Sequence, residues 1–125
     1  MEHYYLFIGE KRSATAIARD WSWTDGHLAA KTLMDAVLAC LPTNAPRAFA
    51  FGNAFYDDGS ENAATKDLAA LAVQHGMVVV GLGKKAQAKL KEWHIPHRCM
   101  IHPAARGAIR TRAVYRAHVA SILLP

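Results

Sequence analysis

The segment Val78-Val79-Val80-Gly81-Leu82-Gly83-Lys84-Lys85, with Ile101-His102-Pro103-Ala104-Ala105-Arg106-Gly107 after it, constrains the fold more than any other part of the chain. A short apolar run closed by glycine suits a strand buried on both faces, which belongs in a parallel sheet covered by helices. The same pattern recurs at Tyr4 to Ile8, closed by Gly9, at Ala48 to Phe51, closed by Gly52-Asn53, and at Arg98 to Ile101 after Pro96. The third run extends from Met77 to Leu82.

Helical spacing of apolar residues lies between these runs. Leu28 to Leu38 follows Asp25-Gly26 and stops before Pro42; Ser60 to about His75 ends at Gly76; Lys84 to Trp93 and Ile109 to Leu124 complete the set. Strands alternating with helices predict an α/β fold with three layers, a four-stranded parallel sheet carrying helices on both faces. At 125 residues and 52% hydrophobic content, one domain spanning 1–125 is expected. Ligands of such sheets bind beyond the carboxyl ends of the strands, so the glycine turn and the His-Pro loop should meet in one crevice.

Charge is unevenly spread. Residues 1–83 hold six Lys or Arg against nine Asp or Glu, a net of −3, whereas 84–125 hold nine against Glu92 alone, a net of +8. That polarity suits phosphates or acidic partners, and equally a solvated face on basic helices. No run reaches the ~20 apolar residues of a membrane span, and Met1-Glu2-His3 lacks a basic leader, so a cytoplasmic protein is expected. Cys40 and Cys99 are expected to be reduced, buried thiols.

Several motifs fail on inspection. Gly81-x-Gly83-x-x-Ala86 has the outline of a dinucleotide fingerprint, yet no acid follows at the ribose-binding distance. Gly83-Lys84-Lys85 lacks the first glycine and the Ser or Thr of a P-loop. His94, His97, Cys99 and His102 are close in sequence, but Pro96 redirects the chain and four converging zinc ligands are not expected. A Gly-x-Ser-x-Gly elbow is absent. Asp57-Asp58 reads as a turn and the cap of the next helix, and Trp21 and Trp23 as packing residues or a stacking platform. Arg106, Arg110, Arg112 and Arg116 surround the start of the last helix, where the dipole disfavours cations, so their clustering suggests a ligand.

Four segments then occur in a telling order: Ile8-Gly9-Glu10, Trp23-Thr24-Asp25-Gly26, Gly52-Asn53, and His102-Pro103-Ala104-Ala105-Arg106. This order resembles the uracil-DNA glycosylase superfamily and spans nearly the whole chain. The resemblance implies Glu10 and His102 as catalytic residues, Glu10 activating water and His102 stabilising the departing base. It implies Trp23, Asn53 and Phe55 around the base, and Gly9, Ser13, Gly83, Lys84, Pro103, Arg106 and Arg110 on phosphates or the nucleic-acid backbone. Departures from the family are Lys11-Arg12, where Pro usually follows the acid, Ala104, where Ser is common, and Arg106 in place of a wedge residue. Two functions are therefore expected as alternatives. One is excision of a damaged or deaminated base from DNA, without metal or cofactor; the other is a nucleic-acid or nucleotide-binding module that has lost hydrolysis.

Overall fold

The computed structural model describes residues 2–105 and 107–124. Four strands, β1 (His3–Gly9), β2 (Arg47–Asn53), β3 (Val78–Leu82) and β4 (Arg98–Met100), form one sheet in the order β2-β1-β3-β4. Every pairing is parallel, with Phe7 opposite both Phe51 and Val80, and Gly9 opposite Asn53. The helices are α1 (Ala14–Arg19), α2 (Ala29–Cys40), α3 (Ala63–Gln74), α4 (Lys84–Glu92) and α5 (Arg112–Leu123).

Alternation along the strands divides the core into two layers. Tyr5 and Phe7 of β1, Val80 and Leu82 of β3, and Met100 of β4 pack against Leu33, Ala36 and Val37 of α2 and Tyr115, Val119 and Leu123 of α5. Leu6 and Ile8, with Val79, face the other way onto Ala69 and Ala72 of α3, Ala86 and Leu90 of α4, and Trp93, which caps α4. The three-layer α/β/α arrangement follows directly. β1 supplies both layers because it lies inside the sheet: Phe7 is fully buried and its ring stacks near Phe51 and Tyr5. Burying such a side chain contributes about 1.5–3 kcal/mol.

Helix boundaries differ from the sequence expectation for local reasons. α3 begins at Ala63, because the Asn62 side chain accepts from the Thr65 amide and is the cap, while Ser60 is held in a turn by Asp58. The expected roles of Asp57-Asp58 divide accordingly: Asp58 makes the turn, and neither caps the helix. α2 starts after Leu28, which adopts φ +51°, and α5 starts at Arg112, behind a short 3-10 turn at Ala108–Arg110. Cys40 is half-buried, but Cys99 is exposed, which corrects the expectation of two buried thiols. β4 is the sheet's edge strand with only three residues, so its outward side chain finds no second layer. No helix among the described residues is long and apolar enough to cross a membrane.

Candidate functional site

Strand order reverses between β1 and β3, each of which continues on a different side of the sheet, and this is where a crevice opens in folds of this kind. A cleft of about 660 Å³ lies at that end. Every strand end contributes to its wall, with Glu10 after β1, Asn53 at the end of β2, Gly83 after β3 and His102 after β4. Trp23 closes it from the segment between α1 and α2.

Asn53 and Trp23 are joined directly, with the indole Nε1 donating to Asn53 Oδ1 at 2.9 Å. The Trp23 ring lies nearly parallel to Phe51, 12° between planes and 5.8 Å between centroids. Its position depends on Gly9, where a Cβ would stand 2.7 Å from Trp23 Cζ2 and 3.0 Å from Asn53 Oδ1. The segment is shaped by a 3-10 turn over Trp23–Asp25, closed by the Asp25 carboxylate, which accepts from the Ser22 backbone amide at 2.7 Å. That bond, with a second from the Ser22 hydroxyl, holds the Asp25 carboxyl below its ordinary range.

His102 is positioned from two sides. Both backbone groups of Ile101 are held by α5: its N–H donates to His118 Nε2 at 2.9 Å, and its carbonyl accepts from the Tyr115 hydroxyl at 2.9 Å. Gln87 of α4 donates to the carbonyls of Gly81 and Met100, joining the ends of β3 and β4. The Ala104 amide donates to His102 Nδ1 at 3.0 Å, which leaves the proton of a neutral ring on Nε2. Burial pushes the His102 pKa down, partly offset by the nearby Glu10 carboxylate, and so favours that neutral ring.

The loop after β1 is fastened by a residue that sequence reasoning did not single out. Arg12 meets Asp57 with two nitrogens, Nε at 3.1 Å and Nη2 at 2.6 Å, while Nη1 donates to Asp20 at 2.9 Å. It thereby links the loops after β1 and β2 to the end of α1, whose cap Asp20 has φ +53°. These hydrogen bonds lower the Asp57 pKa and raise that of Arg12. Lys85 Nζ lies 3.7 Å from Glu10 Oε2. Trp21, expected as a packing residue or a stacking platform, also lines the cleft, as do Lys11 and His27, which had no expected role.

Of the expected site residues, Glu10, Ser13, Trp23, Asn53, Gly83, Lys84 and His102 border one cleft. Ser13 also caps α1, accepting from the Ala16 amide. Gly9 contributes space rather than a binding group. Phe55 lies outside this cleft: it bridges to Glu61 and lines a neighbouring depression that shares Asn53, with Lys89 over its ring. Pro103 is buried, and Arg110 is exposed in the 3-10 turn outside the cleft wall. Arg112 faces Asp35 of α2 at 3.6 Å instead of the cleft. Arg106 lies outside the described residues. Asn53 is also more restricted than expected, because its carbonyl oxygen already serves Trp23 and its NH2 group remains to meet a ligand.

Among the described residues, no three His, Cys, Asp or Glu side chains gather into a metal-binding group. His97 instead directs Nδ1 to the Ile95 carbonyl at 2.8 Å, and His94 occupies a left-handed turn with φ +57°. No protein-family model matches the chain, and no curated protein matches it.

Proposed function

We propose that the cleft binds an extruded base and hydrolyses its N-glycosidic bond, as the resemblance to uracil-DNA glycosylases implies. The observation that carries this reading is the convergence of Glu10, Asn53 and His102, from three strand ends, beside the Trp23 ring. Extruding a base costs a few kcal/mol, so the pocket must stack it and hydrogen-bond its edge. Trp23 offers the aromatic surface and the Asn53 NH2 group a donor to a base carbonyl. Glu10 orients the attacking water and accepts its proton as the bond between sugar and base breaks. The electron pair of that bond leaves with the base, and His102 Nε2–H donates to the negative charge that develops on it. A neutral imidazole serves this role as a fixed donor, which fits its burial and its bond from Ala104.

Purified protein incubated with oligonucleotides bearing uracil, hypoxanthine or xanthine tests the proposal by abasic-site cleavage. Cleavage is expected, and it should disappear in Asn53→Ala and His102→Ala while both variants remain folded, with cooperative thermal transitions. Absence of cleavage on all three bases, or undiminished cleavage in both variants, would overturn it.

A second reading, binding without hydrolysis, is favoured by the Lys85 ammonium beside the Glu10 carboxylate, where it competes with an attacking water. Under that reading the oligonucleotides bind but are not cut. Affinity then falls with salt with a slope of about −0.9 for each phosphate contacted on a duplex, or about −0.7 on a single strand.

A further inference from the structure

Trp21 is only partly buried. It belongs to neither core layer, unlike Trp23, and its ring partners are two exposed side chains: His27, stacked at 4.2 Å between centroids, and Arg19, whose guanidinium carbon lies 5.2 Å from the ring centre. Large aromatics are usually buried, so a partly exposed indole at the cleft wall, with only surface side chains against its ring, points to another role.

Trp21 and Trp23 border the same cleft and flank Ser22, whose backbone is extended at φ −104° and ψ 174°. Residues two apart in extended chain stand roughly 6.5–7 Å apart. That is about twice the 3.4 Å separating neighbouring nucleotides along one strand of a duplex. At that backbone spacing, two successive nucleotides can each meet one ring only in a strand drawn out beyond duplex stacking. The surrounding cations, Arg19, Lys11, Lys84 and Lys85, suit the backbone of such a strand.

We infer that the cleft accepts a single-stranded nucleic acid, with Trp21 as a second stacking platform for the nucleotide adjoining the one beside Trp23. The base on Trp21 displaces His27, exchanging one flat ring for another, while Arg19 keeps its cation-π contact. The inference rests on the proposed function only in taking the cleft as a nucleic-acid site; it requires no hydrolysis.

Binding of labelled oligo-deoxycytidine, oligo-cytidine and a fully paired DNA hairpin of equal length, none containing uracil, hypoxanthine or xanthine, separates the two. Expected are tighter binding of single strands than of the hairpin, quenching of tryptophan fluorescence on binding, and a loss of at least about fivefold in single-strand affinity in Trp21→Ala. Trp21→Phe should retain most of the affinity, which distinguishes stacking from a folding defect, as should an unchanged thermal transition. The two homopolymers decide between DNA and RNA. Equal affinity for the hairpin, or Trp21→Ala binding as the parent does, overturns the inference whether or not uracil is excised. Cleavage of uracil DNA without preference for single strands would leave the proposed function standing and this inference refuted.

Discussion

Trp23 Nε1 donates to Asn53 Oδ1 across 2.9 Å, so the amide that would read a base is fixed by the ring that would stack on it. The bond orients Asn53 with its NH2 group free. Asn53→Asp preserves the acceptor for Trp23 but replaces the free donor with a second carboxylate oxygen. It should fold like the parent and lose base binding and cleavage. Trp23→Phe keeps a ring against Phe51 but removes the donor, and a bond of this type contributes about 0.5–1.5 kcal/mol, so a fall of roughly twofold to tenfold in kcat/KM is expected. Kinetics on a uracil-bearing oligonucleotide would check both; full activity in Asn53→Asp would show that the amide does not read the base.

Gly9 is the point at which the sheet yields to the site. A Cβ there would lie 2.7 Å from Trp23 Cζ2, closer than carbon atoms approach, with sheet backbone on one side and the indole on the other. Gly9→Ala should displace Trp23, break its bond to Asn53 and lower stability by about 1–3 kcal/mol. Denaturant titration measures the stability and cleavage measures the site. Trp23→Phe in the Gly9→Ala background removes Cζ2 and with it the clash, but also the Nε1 donor, so stability should return without full activity; stability that stays low would show that the conflict lies with an atom other than Cζ2.

The sheet was legible because each strand is a short apolar run ended by glycine, proline or asparagine, and β3, Val78–Leu82, is the clearest case. The convergence of Glu10, Asn53, Gly83 and His102 was legible for the same reason, since residues that follow parallel strands share one end of the sheet. Local hydrogen bonds were not. α1 has no buried residue, hence no apolar periodicity to reveal it, and depends on the Ser13 cap. Phe55 follows Asn53 by two residues but turns behind the cleft through its bridge to Glu61. Arg12 acts through Asp20 and Asp57, eight and 45 positions away, a pairing that no local spacing announces.

Arg12 should matter to the cleft more than to global stability. Its partners are largely solvent-exposed, and ion pairs of that kind add little to folding. Yet the two-nitrogen contact with Asp57 fixes the loop that carries Glu10. Arg12→Lys retains charge but not the paired geometry. It should leave the thermal transition nearly unchanged while lowering kcat severalfold, and Asp57→Asn should do the same. A parent-like kcat in both variants would remove Arg12 from any positioning role.

Acid should weaken the protein through two histidines that accept backbone hydrogen bonds. His102 Nδ1 receives the Ala104 amide and His118 Nε2 the Ile101 amide, so each of these nitrogens must be unprotonated. Burial lowers both pKa values from the ordinary histidine value of about 6.5. Because the native values are the lower ones, the unfolded chain takes up protons first as pH falls. Stability present above about pH 6.5 is therefore lost progressively as pH drops through the native values. Melting temperature should be level from about pH 8 to 7 and decline toward pH 5, with part of the decline removed in His102→Gln and a further part in His118→Gln. Melting curves across that range, for the parent and both variants, provide the check. A parent curve that stays level through pH 5, or a decline of the same size in both variants, would show that these two bonds do not carry the pH dependence.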